Sequence, residues 1–213
     1  MISRGYWLVF ILIFIPFLIA VWFYLGEPQY ERLDIKGPVE VTDEGDTNFH
    51  TIPDFELTNQ KGETISLEDL DDQIHVAKFI FTRCPQECPV MTNNMRRVQR
   101  MHDDIEDLTF LSFSIDPDHD TPDVLYDFAE QYDVDHNNWH FLTGDQDKIH
   151  NLAKDGYFMT VKEGDRQATD YMHSEHFVLI DKDRRIRGIY DGMDEEEVMT
   201  LKDEIIVLLH EYS

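Results

Sequence analysis

Three scarcities shape the reading of this 213-residue chain. Basic residues are few: 18 Lys+Arg stand against 44 Asp+Glu, a formal net charge of −26. A surface of that sign repels phosphate backbones, which argues against nucleic acid as a partner. Cysteine is scarcer still. The chain has two, too few for a disulfide framework or a four-thiolate zinc site. Internal repeats and low-complexity tracts are lacking. In contrast, apolar residues make up 42% and aromatics 12%, core material that a disordered acidic chain would not carry. The length suits one core of ordinary size. The acidity has two readings, solubility in a salty medium or a face for a basic partner, and composition does not separate them.

Long apolar runs are also rare, with one exception. Tyr6 to Leu25 (YWLVFILIFIPFLIAVWFYL) is 20 residues without a charge, and a helix of that length spans about 30 Å of hydrocarbon. Aromatics lie at both ends, where interfacial rings are favoured. Pro16 is compatible with a span. Arg4 precedes the run, and Glu27, Glu31 and Asp34 follow it. That asymmetry predicts a single-pass N-terminal transmembrane helix, Met1 in the cytoplasm and the rest extracytoplasmic. The bulky WFYL end has no small-residue cut site, so residues 1–26 read as an uncleaved anchor.

Residues 27–50 carry Pro28, Gly37, Pro38, Gly45 and mixed charge without an apolar period, the pattern of a linker. A domain is expected from Thr51 to the C-terminus. Ile74 to Thr82 (IHVAKFIFT) and Leu108 to Ile115 (LTFLSFSI) read as strands buried on both faces. Val90 to Asp104 has a 3.6-residue apolar period. Thr121-Pro122 opens a helix to about Tyr132, because Thr caps and Pro suits the first turn. Trp139–Leu142 reads as a short strand and Gln146–Lys154 as a short helix. His176–Asp181 and Ile186–Tyr190 form a hairpin, and Glu195–Glu211 a closing helix. Strands alternating with helices predict an α/β fold, a mixed sheet flanked by helices.

The two cysteines sit together in Phe81-Thr-Arg-Cys84-Pro-Gln-Glu-Cys88-Pro89, after a predicted strand and before a predicted helix. A helix N-terminus favours the thiolate. A spacing of four on a helix places both sulfurs on one face, with Pro85 in the first turn. That separation suits either a disulfide or two bonds to one metal ion. A static disulfide closing so small a loop would constrain little. Redox chemistry and metal binding therefore both remain. Two thiolates suit Cu(I), and an added imidazole makes a set that also holds Cu(II). Of ten histidines, His50, His75, His102, His136, His140, His150 and His210 read as surface residues, from their polar contexts. His119, His173 and His176 lie near strand ends and are candidates. If the strand has begun by then, 173 and 176 face opposite sides.

Three segments then point to one family. FTRCPQECPVM (81–91) resembles the strand–CxxxCP–helix motif of the Sco/SenC family. LSFSIDPDHDTPDVL (111–125) resembles its SIDPxxDTP segment, and DYMHSEHFVLIDKDRRIRGIYDG (170–192) its histidine-bearing hairpin. The resemblance runs from about Thr51 to the C-terminus. It implies a thioredoxin-like fold and a copper chaperone for the dinuclear copper site of cytochrome c oxidase. It implies Cys84, Cys88 and His173 as copper ligands. His173 is preferred over His176 because Ser174 follows it and Leu179-Ile180-Asp181 stands at the family's distance. Asp116 matches an acidic residue near the metal, with an expected role in orienting ligands or docking a partner. Implied partners are the oxidase's copper-binding subunit and a thiol reductase that keeps the cysteines reduced.

The alternative is an enzyme, a thiol-disulfide reductase or thiol peroxidase using Cys84 and Cys88 as a redox-active pair, with Arg83 as an activating neighbour. Asp116-x-Asp118-x-Asp120 fails as a calcium loop, since Thr121 stands where glycine is needed. His136 and His140 do not lie in a helical pattern, which argues against zinc. Met91, Met95 and Met101 have the spacing of a core face.

Overall fold

The computed structural model describes residues 4–25, 32–41, 47–159 and 175–212. The chain divides into two compact units, Met1–Glu31 and Arg32–Ser213. The first is the helix α1, Arg4–Leu25, with Pro16 inside it. From Phe10 to Ala20 its side chains, including Leu12, Ile13, Phe14, Ile15, Phe17, Leu18 and Ile19, are exposed and apolar all round the helix, and Val21 is half-buried. Among the described residues no helix is long and apolar enough to cross a membrane.

The second unit is built on a seven-stranded mixed sheet. Its strands are β3 (Glu56–Asn59), β4 (Thr64–Ser66), β5 (Ile74–Ile80), β6 (Leu108–Ser114), β7 (Trp139–Thr143), β8 (His176–Ile180) and β9 (Ile186–Asp191). The order is β4-β3-β7-β6-β5-β8-β9. The central β5, β6 and β7 run parallel, and the flanking pairs are antiparallel. Every residue of β5 and β6 is buried, as their predominantly apolar, β-type pattern suits strands covered on both faces.

Helices α2 (Glu87–Met101), α3 (Pro122–Gln131), α4 (Gln146–Asn151) and α5 (Glu195–Glu211) complete the unit. Thr121 caps α3 by accepting from the Val124 amide, with Pro122 in the first turn. Buried Met91, Met95 and Val98 make α2's core face, whereas Met101 is exposed. One side of the sheet carries a stacked Trp139–Phe141 pair with Phe128 of α3 against it. The other carries an aromatic cluster of Phe55, Phe79, Phe113 and Tyr157, with centroids 5.1 to 5.5 Å apart.

The segment expected as a linker is partly docked. Val39–Val41 (β1) and Thr47–Phe49 (β2) form an antiparallel ribbon. The Lys36 amide donates to Ile186 O (2.7 Å) and the Leu33 amide to Glu211 (2.7 Å). Arg187 reaches the Leu33 carbonyl, Glu211 and Asp181. Polar residues with no apolar period thus join the unit through backbone and ionic contacts, which hydropathy patterning does not register.

Candidate metal centre

The strand β5 leads into the cysteine segment. Cys84 lies outside the helix, not on its first turn as its spacing predicts, because α2 begins at Glu87. A residue before proline is disfavoured in the helical region, and Pro85 follows Cys84. The first-turn position expected for Pro85 falls instead to Pro89, where a missing N–H costs nothing. The sulfurs converge all the same. The Cys88 amide, one of the unpaired donors at the start of α2, donates to Cys84 Sγ at 3.4 Å. The Cys84 thiol donates to the Glu87 carboxylate at 3.4 Å. Both cysteines lie outside any disulfide and are buried, Cys84 at 5% exposure and Cys88 at 0%.

The pair is chemically unequal. The hydrogen bond to Cys84 and burial push the Cys88 thiol well above the ordinary thiol range. Its proton leaves when something electrophilic, such as a soft metal ion, takes its place. Cys84 sits on the outer side, at the helix entrance.

The loop after β6 braces this segment. Asp116, expected near the metal, is buried and receives the Arg83 guanidinium, with Nε at 3.1 Å. Asp120 is fully buried and accepts the Thr82 amide (3.1 Å), the Thr82 hydroxyl and the Ser114 hydroxyl. Ligand atoms of Asp116, His119 and Asp120 lie within 4.8 Å of one another, but protein donors already engage both carboxylates. The loop therefore holds Thr82 and Arg83 in place from below. Sequence reasoning singled out Asp116 and passed over Asp120, although both belong to the same DPDHD string.

His173 lies outside the described residues, so its expected role is neither met nor refused by this geometry. The carbonyl of Glu175 accepts the Gly192 amide at 2.6 Å. Asn94 of α2 donates to Gly192 O at 2.8 Å. A Cβ at Gly192 would lie 3.0 Å from Met91 Cε. Residue 175 is thus pinned beside α2, within two turns of Cys88. His176 opens β8 and is exposed. His119 is exposed and contacts Asp120 at 2.9 Å. Two histidines expected on the surface are buried. His102 bonds the Val98 and Lys202 carbonyls (2.8 and 3.0 Å). His75 contacts the Tyr157 hydroxyl at 3.3 Å.

One group near the cysteines was missed altogether. Lys78 on β5 is fully buried. Its Nζ donates to Thr92 Oγ1 (2.7 Å), and Thr92 Oγ1 donates to Cys88 O (2.6 Å). The signal was a lysine inside a strand that is apolar but for one histidine.

Two soft sulfur donors at the end of a central parallel strand, one of them amide-supported at a helix start, define a thiol protein of the thioredoxin-like class, able to take a disulfide or a soft metal ion. The SCO1/SenC family profile matches residues 43–206, and the chain belongs to that family. A SCO1/SenC family lipoprotein of Bacillus anthracis superposes with a TM-score of 0.70 at 31% identity, over 75% of this chain and 95% of that one. BsSco, of the Sco family of cytochrome c oxidase assembly proteins and bearing a disulfide switch, gives 0.65 at 32%, over 74% and 92%. The copper-bound ScoI of Bradyrhizobium japonicum gives 0.60 at 25%, over 72% and 98%.

Proposed function

We propose that this protein is a membrane-anchored copper chaperone that delivers copper to the dinuclear site of cytochrome c oxidase. The observation that carries the reading is the 3.4 Å contact of the Cys88 amide with Cys84 Sγ, which holds two unbridged thiols together at the start of α2. Copper is the cargo. Cys84 and Cys88 supply thiolates, and His173, two residues before the pinned Glu175, supplies the imidazole. Asp116 acts through Arg83 on the segment that carries Cys84, and does not ligate. The outer sulfur and the imidazole exchange first, passing the ion to thiolates of the oxidase's copper-binding subunit. Residues 1–26 anchor the protein with the N-terminus cytoplasmic and the domain extracytoplasmic. The chain has no cysteine outside the pair for lipid attachment, so α1 takes the role that a lipid has in a lipoprotein. Residues 27–50 serve as the tether, with the docked part from Leu33 onward shortening its free length. Tethering donor and acceptor to one surface raises their effective concentration.

A thiol-disulfide reductase remains the second reading, favoured by the same contact of the Cys88 amide with Cys84 Sγ and by the disulfide switch of BsSco. Oxidation of the pair would block copper loading, so a separate thiol reductase is an expected partner.

An anaerobic copper titration of reduced residues 32–213 against a competing chelator tests the reading. Cys84→Ser, Cys88→Ser and His173→Ala are measured beside it. Tight one-to-one binding, lost in both serine variants and weakened in His173→Ala, is expected. Binding in the native protein no tighter than in the serine variants refutes it and favours the reductase.

A further inference from the structure

Burying a lysine is costly unless something in the interior wants its charge. Lys78 is fully buried on β5, an inner strand of the sheet. Among the described residues no carboxylate pairs with it. Its Nζ is held by Thr92 Oγ1 at 2.7 Å and lies 5.2 Å from the centre of the Trp139 ring. That ring is itself fixed, since Trp139 Nε1 donates to Ser112 Oγ at 2.9 Å. Thr92 stands one helical turn beyond Cys88 and donates to its carbonyl. The lysine head is therefore clamped to the inner face of α2's first turns. Burial lowers the Lys78 ammonium to about 7, and negative charge at Cys88 works the other way, holding the proton on the lysine. A neutral residue would fill the space at lower cost, so packing alone does not account for a lysine.

We propose that Lys78 is the buried counter-charge of the cysteine pair and makes the copper site favour Cu(I) over Cu(II). The inference rests on Cys84 and Cys88 holding copper. With both thiols deprotonated, the Cu(I) complex carries a net charge of −1 and the Cu(II) complex none; a neutral imidazole changes neither value. A cation in a low-dielectric interior stabilises the anionic state more than the neutral one, and the anionic Cu(I) site in turn keeps the lysine protonated. Lys78 thus lifts the reduction potential of the bound ion without touching it. Thr92 and Trp139 set its position and limit its reach. It is a positioning charge, not a ligand.

The test compares the detergent-solubilised full chain with Lys78→Met and Lys78→Gln, each reduced and loaded with copper. Affinities for Cu(I) and Cu(II) are measured by chelator competition, and the potential of the bound ion by mediated titration. Both neutral variants are expected to bind copper with a Cu(I)-to-Cu(II) affinity ratio lowered about tenfold, a drop of about 59 mV for a one-electron couple. An unchanged ratio in both variants overturns the proposal. Nitrogen NMR of the Lys78 Nζ in the Cu(I)-loaded native chain needs no substitution. An ammonium signal supports the proposal, and a neutral amine overturns it. Copper binding that survives Cys84→Ser and Cys88→Ser unchanged would overturn the metal site itself, a failure distinct from that of Lys78.

Discussion

Replacing Arg187 with methionine removes a buried cation from between two carboxylates while keeping most of its apolar stem. Arg187 is 4% exposed; Nη1 donates to Asp181 at 3.0 Å and Nη2 to Glu211 at 2.6 Å. Deleting one member of such a pair costs about 3–5 kcal/mol, because the remaining charge stays buried. Here the loss is smaller. Asp181 keeps the Arg185 guanidinium (3.0 Å) and the amides of Asp183 and Arg185 (3.0 and 2.8 Å). A cost of about 2–3 kcal/mol is expected, which for a domain of this size lowers the melting midpoint by roughly 5–10 °C. The segment around Leu33 also loses an anchor, since Arg187 holds its carbonyl. Thermal unfolding of residues 32–213 reads the first effect. Amide exchange at Leu33 and Lys36 reads the second, as both N–H groups point into the domain. A midpoint within about 2 °C of the native value, with exchange protection retained, would refute this account of the clamp.

Two further outcomes follow from the site and the core. Alkylation of the reduced protein is expected to modify Cys84 at least about tenfold faster than Cys88, because the inner thiol is buried and held in its protonated form; peptide mass mapping over time checks the order, and faster labelling of Cys88 contradicts it. His75 is depressed to about 3, first by burial and then by the Arg184 charge. Between pH 6.5 and that value the unfolded chain binds a proton that the native protein refuses, so stability falls as pH falls. His75→Phe should remove that part of the slope, gaining on the native protein by about one kcal/mol per pH unit below 6.5 in urea unfolding; equal slopes would refute it.

What the sequence showed and hid follows from how each signal is written. The buried strands β5 and β6 are legible because a two-sided burial needs nearly unbroken apolar letters. The α3 start is legible because Thr121-Pro122 satisfies cap and first turn together. The start of α2 is less so. Cys84-Pro85 and Cys88-Pro89 both offer a proline for a first turn, and the choice between them depends on where Thr82 and Arg83 are tied down by Asp120 and Asp116. Those carboxylates come from a loop more than thirty residues away. Burial of His75 and His102 was hidden for a related reason, since a polar neighbour in sequence says little about a partner in space. His102 is satisfied by carbonyls on two different helical segments. Lys78 was visible as a letter but was averaged away, because an apolar run tolerates one lysine without losing its pattern.

The backbone bond from Lys36 to Ile186 has a consequence for solubility and for where the domain is cut. β9 is an outer strand of the sheet, and an open outer strand invites pairing with another copy. Residues just before β1 lie along the beginning of that strand and occupy a carbonyl that a neighbour would seek. The opposite outer strand, β4, is three residues long and offers little template. A fragment begun at Thr51, where the regular pattern starts, would bare the Ile186 carbonyl at the start of β9 and leave Arg187 without its main-chain acceptor. Aggregation of that fragment would report a bared sheet edge and say nothing about its thiols. Starting at Arg32 keeps that carbonyl occupied.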